Sequence, residues 1–174
     1  MNGPFPRPGE RPSALASVRP LLLVVAVLLL GGHALATSLP YDERADAALE
    51  LRQALLAARA SQRPVLLIFG ANWCPDCRAL DAALQLPATA ALLAREFVVV
   101  KVDVGNFDRN LALAARYGNP IKKGIPAAAV LSPDDQLLYA TRAGELSSAK
   151  RMSARGIQDF FSKVASLARK PVPG

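Results

Sequence analysis

The sequence predicts an α/β domain: a central mixed sheet with helices on both faces. Three observations carry that expectation. Val65–Phe69 (VLLIF) and Phe97–Val102 (FVVVKV) are continuous apolar runs, as strands buried on both faces require. Helical patterns stand before, between and after them, and strands separated by helices imply a parallel pairing. A third run, Pro126–Leu131, passes through the turn signal Ser132-Pro133-Asp134-Asp135 into Gln136–Thr141, the pattern of a hairpin.

Taken in chain order, the first 36 residues stand apart. Residues 1–19 are rich in Pro and Gly and carry Arg7, Arg11 and Arg19 against a single Glu10. The apolar run Leu21–Leu30 follows, then Gly31-Gly32-His33, and Ala34 and Ala36 give a small-x-small pattern. That order is the order of a secretory signal peptide cleaved after residue 36. The alternative is an uncleaved N-terminal anchor in the inner membrane, but the run is short of the roughly 20 residues a spanning helix needs. No cysteine follows the run, which excludes a lipid anchor on cysteine. Cleavage leaves residues 37–174 as one domain, periplasmic or secreted, and removes His33, the only histidine.

Within that domain, Asp42–Ala60 places Leu49, Leu51, Leu55 and Leu56 at helical spacing, with Asp42 as its cap and Arg63-Pro64 as its stop. After the first strand, Cys74–Leu86 reads as a helix, and Pro87 restarts it over Ala88–Arg95. Asp108–Tyr117 is a helix closed by Gly118-Asn119-Pro120. Ser147–Ala168 reads as one long helix with Ile157, Phe160, Phe161, Val164 and Leu167 on one side. The predicted order is αβαβαββα.

Composition narrows the chemistry. With 52 % hydrophobic residues the chain has ample material for a core, and two cysteines cannot build a disulfide-rich scaffold. The formal charge is +7, yet basic residues are interleaved with acids and no run exceeds Lys122-Lys123, so no nucleic-acid surface is expected. Both cysteines sit in GANWCPDCRALD, residues 70–81. A buried strand running into Cys74 at a helix N-terminus puts that sulfur where backbone N–H groups and the helix dipole stabilise a thiolate. Cys77 lies one turn on and can close a disulfide with it. Structural zinc needs four N or S ligands, more than this domain supplies. A staple across two intervening residues closes too short a loop to stabilise much. A cysteine protease wants a histidine base. The pair therefore reads as a redox dithiol, Cys74 attacking a partner disulfide and Cys77 resolving the mixed disulfide. No organic or metal cofactor is implied, since the dithiol is itself the redox group.

The combination of Trp-Cys-x-x-Cys after an apolar strand with Gly124-Ile125-Pro126 before a later one resembles the thioredoxin family over roughly residues 45–168. The resemblance implies a thioredoxin-like fold and thiol:disulfide oxidoreductase activity on disulfides or dithiols of exported proteins. It implies a cis Pro126 packed on the cysteine pair, with Ile125 offering its backbone to the substrate chain. Trp73 resembles the family's shielding tryptophan, the alternative being a plain core aromatic, and Pro75 and Asp76 complete the substrate-facing set. Lys101 matches a family lysine near the site; otherwise it is a strand-end lysine reaching solvent. Lys122 and Lys123 would flank the site and favour acidic partners, or form only a solvated loop. The chain departs from the pattern at Ile68, where cytoplasmic thioredoxins carry a buried aspartate. Asp76 brings negative charge between the cysteines, which disfavours a thiolate and makes the pair less oxidising. The expected potential is nearer about −270 mV than the oxidase end at about −120 mV. A reductase in an oxidising compartment needs a membrane-bound electron donor. A monomer is the default. The other readings are a periplasmic disulfide oxidase, a non-catalytic peptide-binding module or chaperone on the same fold, and a carrier of a soft ion such as Cu(I).

Overall fold

The structure, a computed structural model, describes residues 39–169; the expected signal segment lies outside them. Nine regular elements follow in order: α1 (Ala47–Ser61), β1 (Val65–Gly70), α2 (Pro75–Leu84), α3 (Pro87–Glu96), β2 (Val98–Asp103), α4 (Leu111–Arg116), β3 (Ala127–Leu131), β4 (Leu137–Ala140) and α5 (Ala154–Ala168). The four strands form one mixed sheet in the order β2-β1-β3-β4. β1 pairs parallel with β2, Ile68 opposite Lys101, and antiparallel with β3, which turns back into β4.

β1 is central and buried throughout, so its alternation feeds two cores. Val65, Leu67 and Phe69 face a cluster with Leu51, Ala54 and Ala58 of α1 and Ala114 of α4. Leu66 and Ile68 face Leu80 and Leu84 of α2, Leu92 and Leu93 of α3, and Ile157, Phe161 and Val164 of α5. Each large side chain buried here contributes about 1.5–3 kcal/mol. This sandwich holds the C-terminal end of β1, where the cysteines begin, rigidly in place.

Several element ends differ from the sequence expectation, each for a local reason. α1 is capped by Asp46, whose carboxylate accepts the Leu49 N–H at 3.0 Å; Asp42 instead closes a turn with the Arg44 N–H at 2.8 Å. Asp108 does not open α4, because its carboxylate accepts the Asn106 N–H in a turn, and the helix starts only at Leu111. The expected helix from Ser147 is broken: Ala149–Arg151 is a separate 3-10 turn, and α5 starts after Ser153, whose hydroxyl accepts the Gly156 N–H at 3.0 Å. On α5, Phe160 is half-buried and Leu167 is exposed, while Ala165 joins the core face instead. Lys122 and Lys123 end a 3-10 turn, Pro120–Lys123, ahead of β3.

Candidate active site

β1 delivers the chain to the site. After Gly70 the backbone turns through Ala71–Trp73, closed by the Cys74 N–H on the Ala71 carbonyl at 3.2 Å. Cys74 is the N-cap of α2, and its sulfur accepts the Cys77 N–H at 3.1 Å. Pro75 occupies the first helical turn, where its missing N–H has no partner to lose. Asp76 follows in the same turn, as the dipole favours. Its carboxylate accepts the Lys150 N–H at 2.9 Å, tying the helix start to the turn before α5.

Both thiols are free and buried, Cys74 at 4 % and Cys77 at 0 % exposure. From 51 residues away, the Ile125 carbonyl comes within 3.7 Å of the Cys74 sulfur, as an acceptor for its S–H. The Ile125–Pro126 bond is cis, and both residues are buried. Burial pushes the Cys77 thiol well above its usual range; the hydrogen bond with Cys74 pushes the same way, and the Asp76 charge adds to it. The inner sulfur therefore stays protonated at neutral pH, while the outer one sits at a helix start with a donor on it.

Trp73 is not a core aromatic: it is 52 % exposed, its indole N–H donating to the Gly105 carbonyl at 2.9 Å. It meets Phe107 edge to face, centroids 6.3 Å apart. Lys122 and Lys123 are exposed. Lys101 is engaged with Asp81 and keeps its side chain partly exposed, so it meets a buried carboxylate and still reaches solvent.

Sequence reasoning missed three residues. Asp81 lies four residues after Cys77 on the same helix, both side chains buried, which puts their Cβ atoms about 5–6 Å apart. Its carboxylate holds Lys101 and accepts from Gln85 Nε2 at 2.6 Å. Since Lys101 pairs in register with Ile68, a carboxylate from α2 reaches the neighbourhood that Ile68 leaves apolar. The signal was there: Cys77, Asp81 and Gln85 are at i, i+4 and i+8. Tyr41 and Asn72 are the other two. Asn72 accepts the Tyr41 N–H at 3.0 Å and donates to the Tyr41 carbonyl at 2.9 Å, strapping the segment before α1 onto the cysteine turn. Tyr41 is 3 % exposed and lies over Gly70, where an added Cβ would be 2.2 Å from its hydroxyl oxygen. Burial, first, and then the nearby Cys77, Asp81 and Cys74 push the Tyr41 hydroxyl far above its usual range.

Among the described residues no group of His, Cys, Asp and Glu could hold a metal ion, and no helix is long and apolar enough to cross a membrane. The fold and the paired thiols define a thiol:disulfide oxidoreductase of thioredoxin-like architecture. The comparisons give the family. The profile described as Thioredoxin-like matches residues 46–133. A solved structure described as a disulphide isomerase from Xylella fastidiosa Temecula1 is 53 % identical, covering 74 % of this chain and 98 % of its own, with a TM-score of 0.73. The chain belongs to the thioredoxin-like family. A structure described as DsbH Oxidoreductase, 19 % identical over 69 % of this chain and 82 % of its own, shares the fold at a TM-score of 0.51. Comparison with curated protein sequences gave no match.

Proposed function

We propose that the protein is an exported reductase or isomerase of disulfides in other exported proteins, working through Cys74 and Cys77. The observation that carries this reading is the asymmetry of the pair: an outer sulfur capped by an N–H, and an inner one enclosed and held protonated. The 53 % identical relative is described as a disulphide isomerase, an activity that also needs a reduced attacking thiol.

Cys74 thiolate attacks one sulfur of a partner disulfide, and the other partner sulfur leaves as a thiolate and takes a proton. The mixed disulfide holds the partner chain against Ile125 and Pro126, with Trp73, Pro75 and Asp76 around it. Cys77 then passes its proton to the Asp81 carboxylate and attacks the Cys74 sulfur. The S–S bond to the partner breaks, its second thiolate leaves, and two electrons have passed to the partner. Lys101, partly exposed and joined to Asp81, offers the proton a way out to solvent. A membrane-bound donor returns the electrons. The signal-peptide reading of residues 1–36 supports a periplasmic or secreted location, with an inner-membrane anchor as the other outcome.

The test is the equilibrium redox potential in glutathione or dithiothreitol buffers. The expected value is nearer about −270 mV than −120 mV, and one above about −170 mV would reverse the direction to oxidation. A pair that does not cycle reversibly, with a Cys74→Ser chain that keeps its cellular function, would leave a peptide-binding module.

A further inference from the structure

β2 is an edge of the sheet, and its outer side is a row of backbone groups that no strand covers. The Val98 N–H donates inward to the Pro64 carbonyl and the Val104 N–H to the Gly70 carbonyl, both at 2.9 Å. Because a strand alternates, the N–H and C=O of Val99 and Lys101 point away from β1. Both ends of the row are closed. The Phe97 carbonyl accepts from Arg63 Nη1 at 3.4 Å, and the Asp103 carbonyl accepts from Asn110 Nδ2 at 2.7 Å. Between them, the N–H and C=O of Val99 and of Lys101 have no hydrogen-bond partner among the described residues. Sheet edges are often guarded by a lysine charge, but here the Lys101 ammonium is held by Asp81. Val99 is 38 % exposed.

Room for another strand lies alongside. A groove of about 510 Å³ runs between α1 and residues 98–101 of β2, lined also by Pro40, Asp42, Glu50, Gln53, Ala54 and Ala57. Its charge is polarised along the strand. Tyr41 lies over Gly70, the register partner of Asp103, and the chain then descends α1 to Pro64, beside Val98. Asp42 and Glu50 therefore stand toward the Asp103 end of β2, and Arg63 toward the Val98 end. None of these three has a salt-bridge partner among the described residues.

We propose that β2 pairs with β2 of a second copy of this chain, antiparallel and about a two-fold axis at Val100. That register sets Val99 of each copy opposite Lys101 of the other, and every open N–H and C=O of both residues is then paired. A slip to either neighbouring register would set an open group against the capped Phe97 or Asp103 carbonyl. The same two-fold brings the acidic end of each edge to the basic end of the other. The two sheets become one, and the protein is a symmetric dimer in place of the monomer expected by default.

The test is sedimentation velocity on the full chain over a concentration series, with thiols kept reduced so that no disulfide links the copies. The expected parent is a reversible dimer with a dissociation constant on the order of 10 μM, the weak class for a small interface. Val99→Pro deletes an outward N–H, leaves the pairing with β1 intact, and should raise that constant about 10-fold or more. Val99→Lys sets like charges across the pair and should raise it as well, whereas Val99→Glu faces Lys101 and should hold the dimer. Unchanged far-UV circular dichroism shows which variants have folded, and the Lys and Glu variants decide should the Pro variant fail. A parent still monomeric at about 100 μM overturns the proposal, as does a dimer that withstands Val99→Lys or is lost equally in Val99→Glu. Amide hydrogen exchange on the same samples separates the occupants of the edge. It should slow at Val99 and Lys101 as concentration rises; protection there in a chain that remains monomeric would give the edge to another segment and overturn the proposal too.

Discussion

Gly70→Ala tests whether the strap before α1 is part of the site. The new Cβ would lie 2.2 Å from the Tyr41 hydroxyl oxygen and 2.4 Å from the ring carbon that carries it. The backbone cannot yield easily, because Gly70 is in register with Asp103 in the central strand pair. The ring must therefore leave. Tyrosine buries about 150 Å² or more, which at about 25 cal/mol per Å² is near 4 kcal/mol. Allowing for surface already covered in the denatured chain gives about 3 kcal/mol. Tyr41→Ala alone should cost about 3–4 kcal/mol. In that background Gly70→Ala meets no ring, and replacing a strand glycine should stabilise by about 0.5–1 kcal/mol. The coupling energy of the pair is then about 3–4 kcal/mol. Urea unfolding of the four proteins, with thiols kept reduced, measures it. Coupling below about 0.5 kcal/mol would mean that Gly70 is not there for Tyr41, and the reasoning fails.

Three other outcomes are expected. Asp81→Asn should slow resolution of a trapped mixed disulfide by about 10²-fold or more near neutral pH and flatten its pH dependence; stopped-flow release of the partner checks this, and an unchanged rate removes Asp81 from the proton path. Asp76→Asn keeps an acceptor for the Lys150 N–H but removes a charge that raises the Cys77 thiol, so Cys77 should ionise at lower pH in the reduced variant, read by thiolate absorbance; ionisation at a higher pH would contradict the sign. Finally, Cys77 is raised above its ordinary value of 9.0, so the folded state favours its protonated form. The reduced protein should hold that stability below pH 9.0 and lose it as pH climbs further. The oxidised protein lacks the titrating thiols and should show no such slope between about pH 9 and 10, before tyrosine ionises. Equal slopes in chemical denaturation would refute the assignment.

How much of this was legible depends on where each residue's partners lie in the chain. β1 announces itself because a strand buried on both faces must be apolar throughout; the same pattern misled at β2, which is the sheet edge and leaves Val99 exposed. The cysteine pair is equally plain, since its chemistry lies within one helical turn. Helix starts were harder: Asp42 and Asp46 are both good caps, and only the packing of Ala47 and Leu51 decides for the later one. The break before Ser153 was hidden because Ser147–Met152 carries residues that suit a helix as well as a turn. Lys101 was read but Asp81 was missed, because their meeting depends on where α2 packs on the sheet. Tyr41 was the least legible, being a lone aromatic in a polar stretch whose place is made by a glycine 29 positions away.

Trp73 is the chain's single tryptophan, and it stands immediately before Cys74 with its indole N–H pinned to Gly105 at 2.9 Å. All indole emission from this protein therefore originates one residue from the reacting sulfur, from a ring in a fixed setting. A disulfide accepts an electron from excited indole where two thiols do so poorly, so oxidation of the pair is expected to dim the intrinsic fluorescence. The molecule carries its own optical gauge, and each redox titration proposed above can be followed without attaching a dye.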